Sequence, residues 1–191
     1  SMGVQSLEPE LLTFLTRYHS VKQIFETCNH VRTAGFENLN CDLIYGIPGQ
    51  TQDIWKRDIN RIIELRPEHI SAYTLTVEKG TELFHMVNSN EVTMPGESIS
   101  ADWFNLTRSY LSEHQYIPYE ISNFSKPEKE CRHNLHYWNI DPYMGFGPSA
   151  HSFDGNQRWN NVRSLDQYIK KMDEELSPIS SNETLTPTQK L

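Results

Sequence analysis

Between Asn38 and Thr76 a strand pattern, a helical pattern and a second strand pattern follow one another with short breaks, an order that restricts the chain to an α/β architecture with a parallel sheet. In NLNCDLIY, Asn38 to Tyr45, the residues Leu39, Cys41, Leu43 and Tyr45 alternate with Asn40, Asp42 and Ile44, and Gly46-Ile47-Pro48-Gly49 ends the run. Thr51 then precedes Ile54, Trp55, Ile59, Ile62 and Ile63, a helical face reaching about Leu65 before Pro67. HISAYTLT, His69 to Thr76, is the second strand, closed by Glu78-Lys79-Gly80-Thr81. Strand, helix and strand in this order form a βαβ unit with a right-handed crossover.

The flanking segments extend this pattern. Gly3 to Ser6 reads as the carboxyl end of a strand, with Ser6 as cap of a helix opening near Glu8-Pro9-Glu10. Val21, Ile24, Phe25, Cys28 and Val31 recur at helical spacing after Ser20, and Gly35 stops that helix. A short helix over Thr81 to Val87 and a longer one marked by Ile99, Trp103, Leu106, Tyr110 and Leu111 lead to strand character at Ile117 to Ile121. The stretch Ser125 to Asn161, crowded with His, Asn, Gly, Pro and aromatics, has no sustained period and reads as loops packed over a scaffold. Ser164 caps a helix to about Glu175, and the Ser-, Thr- and Pro-rich tail from Ser177 reads as linker. Thr186-Pro187-Thr188-Gln189 is a helix start signal with no helix after it, and Ser1-Met2 resembles the scar of a cleavage site, so both ends read as cut.

Charge and cysteine usage narrow the function classes. With 17 Lys and Arg against 25 Asp and Glu, the net charge of −8 argues against a nucleic-acid footprint. Cys28, Cys41 and Cys131 are far apart and odd in number, which fits a reducing cytoplasmic compartment and lacks any local metal-ligand spacing. No apolar run approaches the length of a membrane helix, and no signal-peptide pattern is present.

Few residues stand out as chemistry. Asp42 lies in an otherwise apolar strand near its carboxyl end, where α/β folds gather ligand groups; it would meet a donor such as a ribose hydroxyl or an arginine, or else form a salt bridge or cap. Gln5 shares that placement, and Arg17, at a helix end, offers a guanidinium for a carboxylate or simply faces solvent. The run Cys131 to Trp138, CRHNLHYW, is dense in groups that bind metals, stack on flat rings or pair with carboxylates; the alternative is a loop anchored by Tyr137 and Trp138. Cys131 and His133 are too few for a zinc site. Tyr143 to Ser152, YMGFGPSAHS, matches neither a dinucleotide nor a P-loop motif, and Ser152 has no nucleophile elbow.

Six ordered motifs carry a resemblance: GVQS at Gly3, DLIYGIPGQT at Asp42, HISAYTLT at His69, YEISNFSKP at Tyr119, RHNLHYW at Arg132 and GFGPSAHS at Gly145. Together they resemble the oxygen-independent coproporphyrinogen III oxidase-like radical S-adenosylmethionine (SAM) proteins, closest to their haem-chaperone branch. The resemblance implies an α/β fold, the C-terminal half of a radical SAM (β/α)₆ partial TIM-type barrel truncated at both ends. Gly3 to Ser6 would end the fourth strand, Asn38 to Tyr45 would be the fifth and His69 to Thr76 the sixth. It implies a partial barrel over 3–125, a haem-associated region over 126–176, and a linker with the start of an accessory helical domain over 177–191.

Gln5, Arg17, Asp42 and Thr76 match the family's SAM contacts, and His133, Asn134, Tyr137 and Trp138 match the haem-associated His-Asn-x-x-Tyr-Trp motif, with His133 a candidate iron ligand. Ser149 falls where the family pattern has glycine. The cofactors implied are SAM, a [4Fe-4S] cluster whose three-cysteine motif this chain lacks, and haem. The partners implied are haem-accepting proteins, with self-association through open barrel edges. Oxidative decarboxylation of porphyrinogen propionates is the enzymatic alternative, and a structural or regulatory module without cofactor chemistry is a third.

Overall fold

The computed structural model describes residues 1–190 and divides into two compact units, Ser1–Glu130 and Cys131–Leu191. In the first unit β1 (Met2–Gln5) lies parallel to β2 (Asn40–Tyr45), and β2 parallel to β3 (His69–Thr74). Short antiparallel strands β4 (Ile117–Pro118) and β5 (Asn123–Ser125) complete an open five-stranded sheet in the order β1-β2-β3-β5-β4. Strands β1 and β4 therefore form its edges.

The helices are α1 (Pro9–Phe14), α2 (Val21–Thr33), α3 (Gln52–Glu64), α4 (Glu82–Asn88) and α5 (Glu97–Glu113). Alternation along β2 sorts its side chains between two faces. Leu39, Cys41, Leu43 and Tyr45 enter one core with Ile24 and Cys28 of α2, Trp55, Ile59 and Ile62 of α3, and Trp103 and Leu111 of α5. Asn40, Asp42 and Ile44 consequently point to the opposite face. Both α2 and α3 start at side-chain caps, Ser20 in a reciprocal capping box with Gln23 and Thr51 accepting from the Ile54 N–H.

Two local expectations are corrected here. Ser6 does not cap α1, which starts at Glu8 with Pro9 at its first position. The Ser6 hydroxyl is buried and donates to the Asp58 carboxylate of α3 at 2.6 Å, so it bolts the end of β1 to that helix instead. Strand character expected through Ile121 stops at Pro118: after one further bond, from the Tyr119 N–H to the Asn123 carbonyl at 3.3 Å, the chain turns back into β5.

In the second unit α6 (Arg132–Trp138), β6 (His151–Phe153), β7 (Gln157–Asn161), α7 (Leu165–Asp173) and β8 (Ile179–Thr184) follow in order, with β6-β7-β8 an antiparallel sheet. The loops expected between Ser125 and Asn161 thus contain a helix and two strands, and the tail expected as linker contains β8. Polar cross-strand pairs hold β7 to β8: Arg158 Nε donates to Glu183 at 2.9 Å, and Ser181 to Asn160. Ser149 has φ of +59°, which explains a glycine in the family pattern at that point. The close backbone approach falls at Gly145, where a Cβ would meet the His151 carbonyl oxygen at 2.1 Å.

Candidate functional site

Across the face of the sheet opposite the helices, strand register builds polar rows. Gly3, Asp42, Ser71 and Asn123 are successive partners from β1 to β5, and Asn40, His69 and Ser125 form the next row. At the carboxyl side of these rows lies a cleft of about 700 Å³ lined by Gln5, Arg17, Asp42, Ile44, Thr74 and Thr76, together with Tyr73, Leu75 and Ser122. Ligand groups gather at this end of parallel strands because the chain must leave the sheet there through loops.

Each functional side chain has a local cause for its position. The β1 register shifts between Gly3 and Gln5, and Gln5 takes a left-handed backbone with φ of +66°. That bend folds the Gln5 amide over Gly3, where a Cβ would stand 2.7 Å from Nε2, so glycine leaves the room the amide occupies. Arg17 follows α1, beyond Thr16 in its own left-handed conformation, with its N–H bonded to the Leu12 carbonyl at 2.9 Å. Asp42 accepts from Asn40 Nδ2 and from the Ser1 hydroxyl, each at 2.7 Å. The arrangement offers an amide, a guanidinium, a carboxylate and a hydroxyl to one polar ligand.

The second group of residues is also resolved. His133, Asn134, Tyr137 and Trp138 lie on α6, where the motif's spacing becomes two adjacent i,i+4 pairs, His133 with Tyr137 and Asn134 with Trp138. The His133 ring meets Tyr137 edge-on at 5.2 Å, and Tyr137 meets Tyr143 at 4.8 Å. Trp138 is 53% exposed and Tyr137 48%, which speaks against the alternative of a loop anchored by these two side chains. His136 is engaged separately with Asp141 at 2.9 Å.

Cluster chemistry finds no fit. Among the described residues no three His, Cys, Asp or Glu side chains gather to hold a metal. Cys28 and Cys41 are buried in the core and hydrogen-bonded to each other, which pushes the Cys28 thiol down to about 7 and the Cys41 thiol well up. The donor set in the cleft, by contrast, fits a zwitterionic nucleoside such as SAM. Sequence reasoning missed Asn40, His69 and Tyr119, whose only signal was the Asn-x-Asp alternation on β2.

An open sheet, parallel through its first three strands, helix-covered on one face and with this cleft at its carboxyl end, defines the class of the chain as α/β, a partial and unclosed barrel region. The coproporphyrinogen III oxidase HemN of Escherichia coli, a radical SAM enzyme, shares that fold with a TM-score of 0.76 at 24% identity, over 97% of this chain and 45% of its own. The heme chaperone HemW of Bacillus subtilis is 35% identical over the full 191 residues, 50% of its length. HemW of Mycobacterium tuberculosis strain H37Rv is 36% identical over 97% of this chain and 47% of its own. The mitochondrial radical S-adenosyl methionine domain-containing protein 1 of Danio rerio is 34% identical over 79% and 34%. No family model matches the chain. The chain belongs to the HemW/HemN-like radical SAM family, and it spans about half the length of the curated HemW relatives it matches. Among the described residues no helix is long and apolar enough to cross a membrane.

Proposed function

We propose that this chain is part of a radical SAM haem chaperone, binding SAM in the Asp42 cleft and offering His133 to haem iron for delivery to acceptor haemoproteins. The observation that carries the reading is the convergence of Gln5, Arg17, Asp42 and Thr76, spread over more than seventy residues of sequence, on one cleft. In this reading Arg17 pairs with the methionyl carboxylate, and Gln5 and Thr76 supply neutral hydrogen bonds. Asp42 accepts from hydroxyl or ammonium donors. When bound, SAM supplies the family's radical precursor; its reduction belongs to a cluster whose thiolates these residues do not provide. Three cysteines, odd in number and far apart in sequence, support a reducing, cytoplasmic setting.

The haem part of the proposal rests on α6. A haem face needs apolar area beside an imidazole, and half-exposed Tyr137 and Trp138 next to His133 supply both. The motif's match to haem handling favours this over decarboxylation of porphyrinogen propionates. Titrating haem into wild type, His133→Ala and His151→Ala tests it, with circular dichroism confirming the fold. The expected result is roughly tenfold or greater loss of affinity in H133A and an altered Soret band, with H151A unchanged, because one coordination bond and its ring contact are removed. Equal spectra and affinities for wild type and H133A would overturn the ligand assignment. Selective loss in H151A would move the site to the cleft of Tyr143, His151, Arg158 and Trp159.

A further inference from the structure

Behind the cleft a line of hydrogen bonds crosses the sheet. Asn40 Nδ2 reaches Asp42 Oδ1 at 2.7 Å, Asn40 Oδ1 reaches His69 Nδ1 at 2.7 Å, and His69 Nε2 reaches the Tyr119 hydroxyl at 2.7 Å. Ser71 Oγ braces Asn40, at 3.1 Å from Nδ2 and 3.3 Å from Oδ1. His69 and Ser71 are buried, and Asn40 is partly so. Asn40 does not line the cleft itself, and neither does His69.

The direction of every proton in this line is fixed by its end. An ionised carboxylate only accepts, so the Asn40 amide nitrogen must face Asp42 and its oxygen must face His69. That oxygen needs a donor, which assigns the proton of the neutral ring to Nδ1, the less common site for a free histidine. Nε2 is then an acceptor and takes the Tyr119 O–H. Burial holds His69 below its usual range, in keeping with a neutral ring, against the opposing pull of Asp42, Glu120 and Glu130. The other carboxylate oxygen, Asp42 Oδ2, takes the Ser1 hydroxyl at 2.7 Å, and that same hydroxyl accepts from Asn40 Nδ2 at 2.9 Å.

We propose that Asn40 and His69 are positioning residues for the cleft: the one-way chain Tyr119 to His69 to Asn40 to Asp42 commits Oδ1 and turns Oδ2 toward a ligand hydroxyl, selecting ligands with a ribose-type hydroxyl. The ligand class rests on the reading of the cleft as a SAM site; the chain of protons does not.

Two measurements separate these. Without ligand, ¹⁵N-edited NMR of the histidine rings reports the His69 tautomer. Wild type is expected as Nδ1–H, Asp42→Asn and Asn40→Ala as mixtures of both tautomers, and Tyr119→Phe still as Nδ1–H. Asp42→Asn is isosteric, so it keeps the test open where Asn40→Ala fails to fold. An Nε2–H ring in the wild type, or a tautomer that neither D42N nor N40A moves, would overturn the proposal whatever SAM does.

With ligand, N40A is expected to bind SAM about ten- to a hundredfold more weakly than wild type, the loss for one hydrogen bond to a charged group. Replacing SAM by its 2′-deoxyribose analogue is expected to weaken wild type more than N40A. Unchanged SAM affinity in N40A, or equal sensitivity of the two proteins to the deoxy analogue, overturns the positioning role. A wild type that binds no SAM refutes the cleft reading and the ligand selection built on it, while the tautomer measurement alone then decides the proton chain.

Discussion

Trp55→Ala is expected to cost about 3–5 kcal/mol, a large share of the stability of a domain of this kind. Trp55 is fully buried on α3, its ring 5.2 Å from that of Tyr45 on β2. Its indole N–H donates to Thr107 Oγ1 of α5 at 2.8 Å, and that hydroxyl donates on to the Trp103 carbonyl at 2.6 Å. One side chain thus joins the sheet to two helices, and truncation both opens a cavity and leaves the Thr107 hydroxyl without its donor. Trp55→Phe, which keeps most of the packing and removes the N–H, should cost about 1–2 kcal/mol. Urea unfolding of the three proteins measures both, and a loss below about 1 kcal/mol in W55A would show that the βαβ unit is not held through this residue.

Asp58→Asn is expected to act in the other direction. Asp58 is fully buried on α3 and accepts from the Ser6 hydroxyl, while its Oδ1 has no partner among the described residues. Burial pushes its carboxyl from 3.8 up to about 6, with the Ser6 hydrogen bond opposing the shift. The folded state therefore holds the proton more tightly than the unfolded chain. The stability gained from that proton is fully present below about pH 4 and is lost as pH rises through about 6, a difference of about 3 kcal/mol for a shift of this size.

Asparagine keeps an acceptor for Ser6 and carries no charge, so D58N should be more stable than wild type by about 2 kcal/mol at pH 7.5, with the advantage vanishing toward pH 4. Unfolding curves at pH 4, 5, 6 and 7.5 test the sign. A constant difference between the two proteins across that range, or a less stable D58N at pH 7.5, would contradict it. The residue also connects stability to the site, since Ser6 follows Gln5 directly and its bond to Asp58 fixes the strand end from which Gln5 turns into the cleft.

The parallel core was legible because its signal is repeated: Leu39 and three residues of β2 alternate toward the helices, and α3 answers with Trp55, Ile59 and Ile62 at helical spacing. The second unit was not, for a physical reason. Helix α6 has seven residues, too few to display a period, and β7 and β8, with the sequences QRWNN and ISSNET, pair through polar side chains that give no apolar alternation. At the site, composition singled out Asp42, Gln5 and Arg17 as polar groups near strand or helix ends, while Thr76 and the SAM assignment of all four came from resemblance. The Asn40, His69 and Tyr119 chain was invisible because its members lie 29 and 50 residues apart and meet only through strand register and the turn before β5.

The most direct test of the cleft assignment is a titration of SAM into the isotope-labelled 191-residue chain, followed by amide NMR shifts in wild type and Asp42→Ala. The account predicts saturable shifts at Gln5, Arg17, Asp42 and Thr76. The dissociation constant should lie above about 1 μM, because the chain spans about half of the HemW relatives that it matches, and D42A should abolish the shifts. Shifts that cluster away from these residues, or that persist unchanged in D42A, would contradict it.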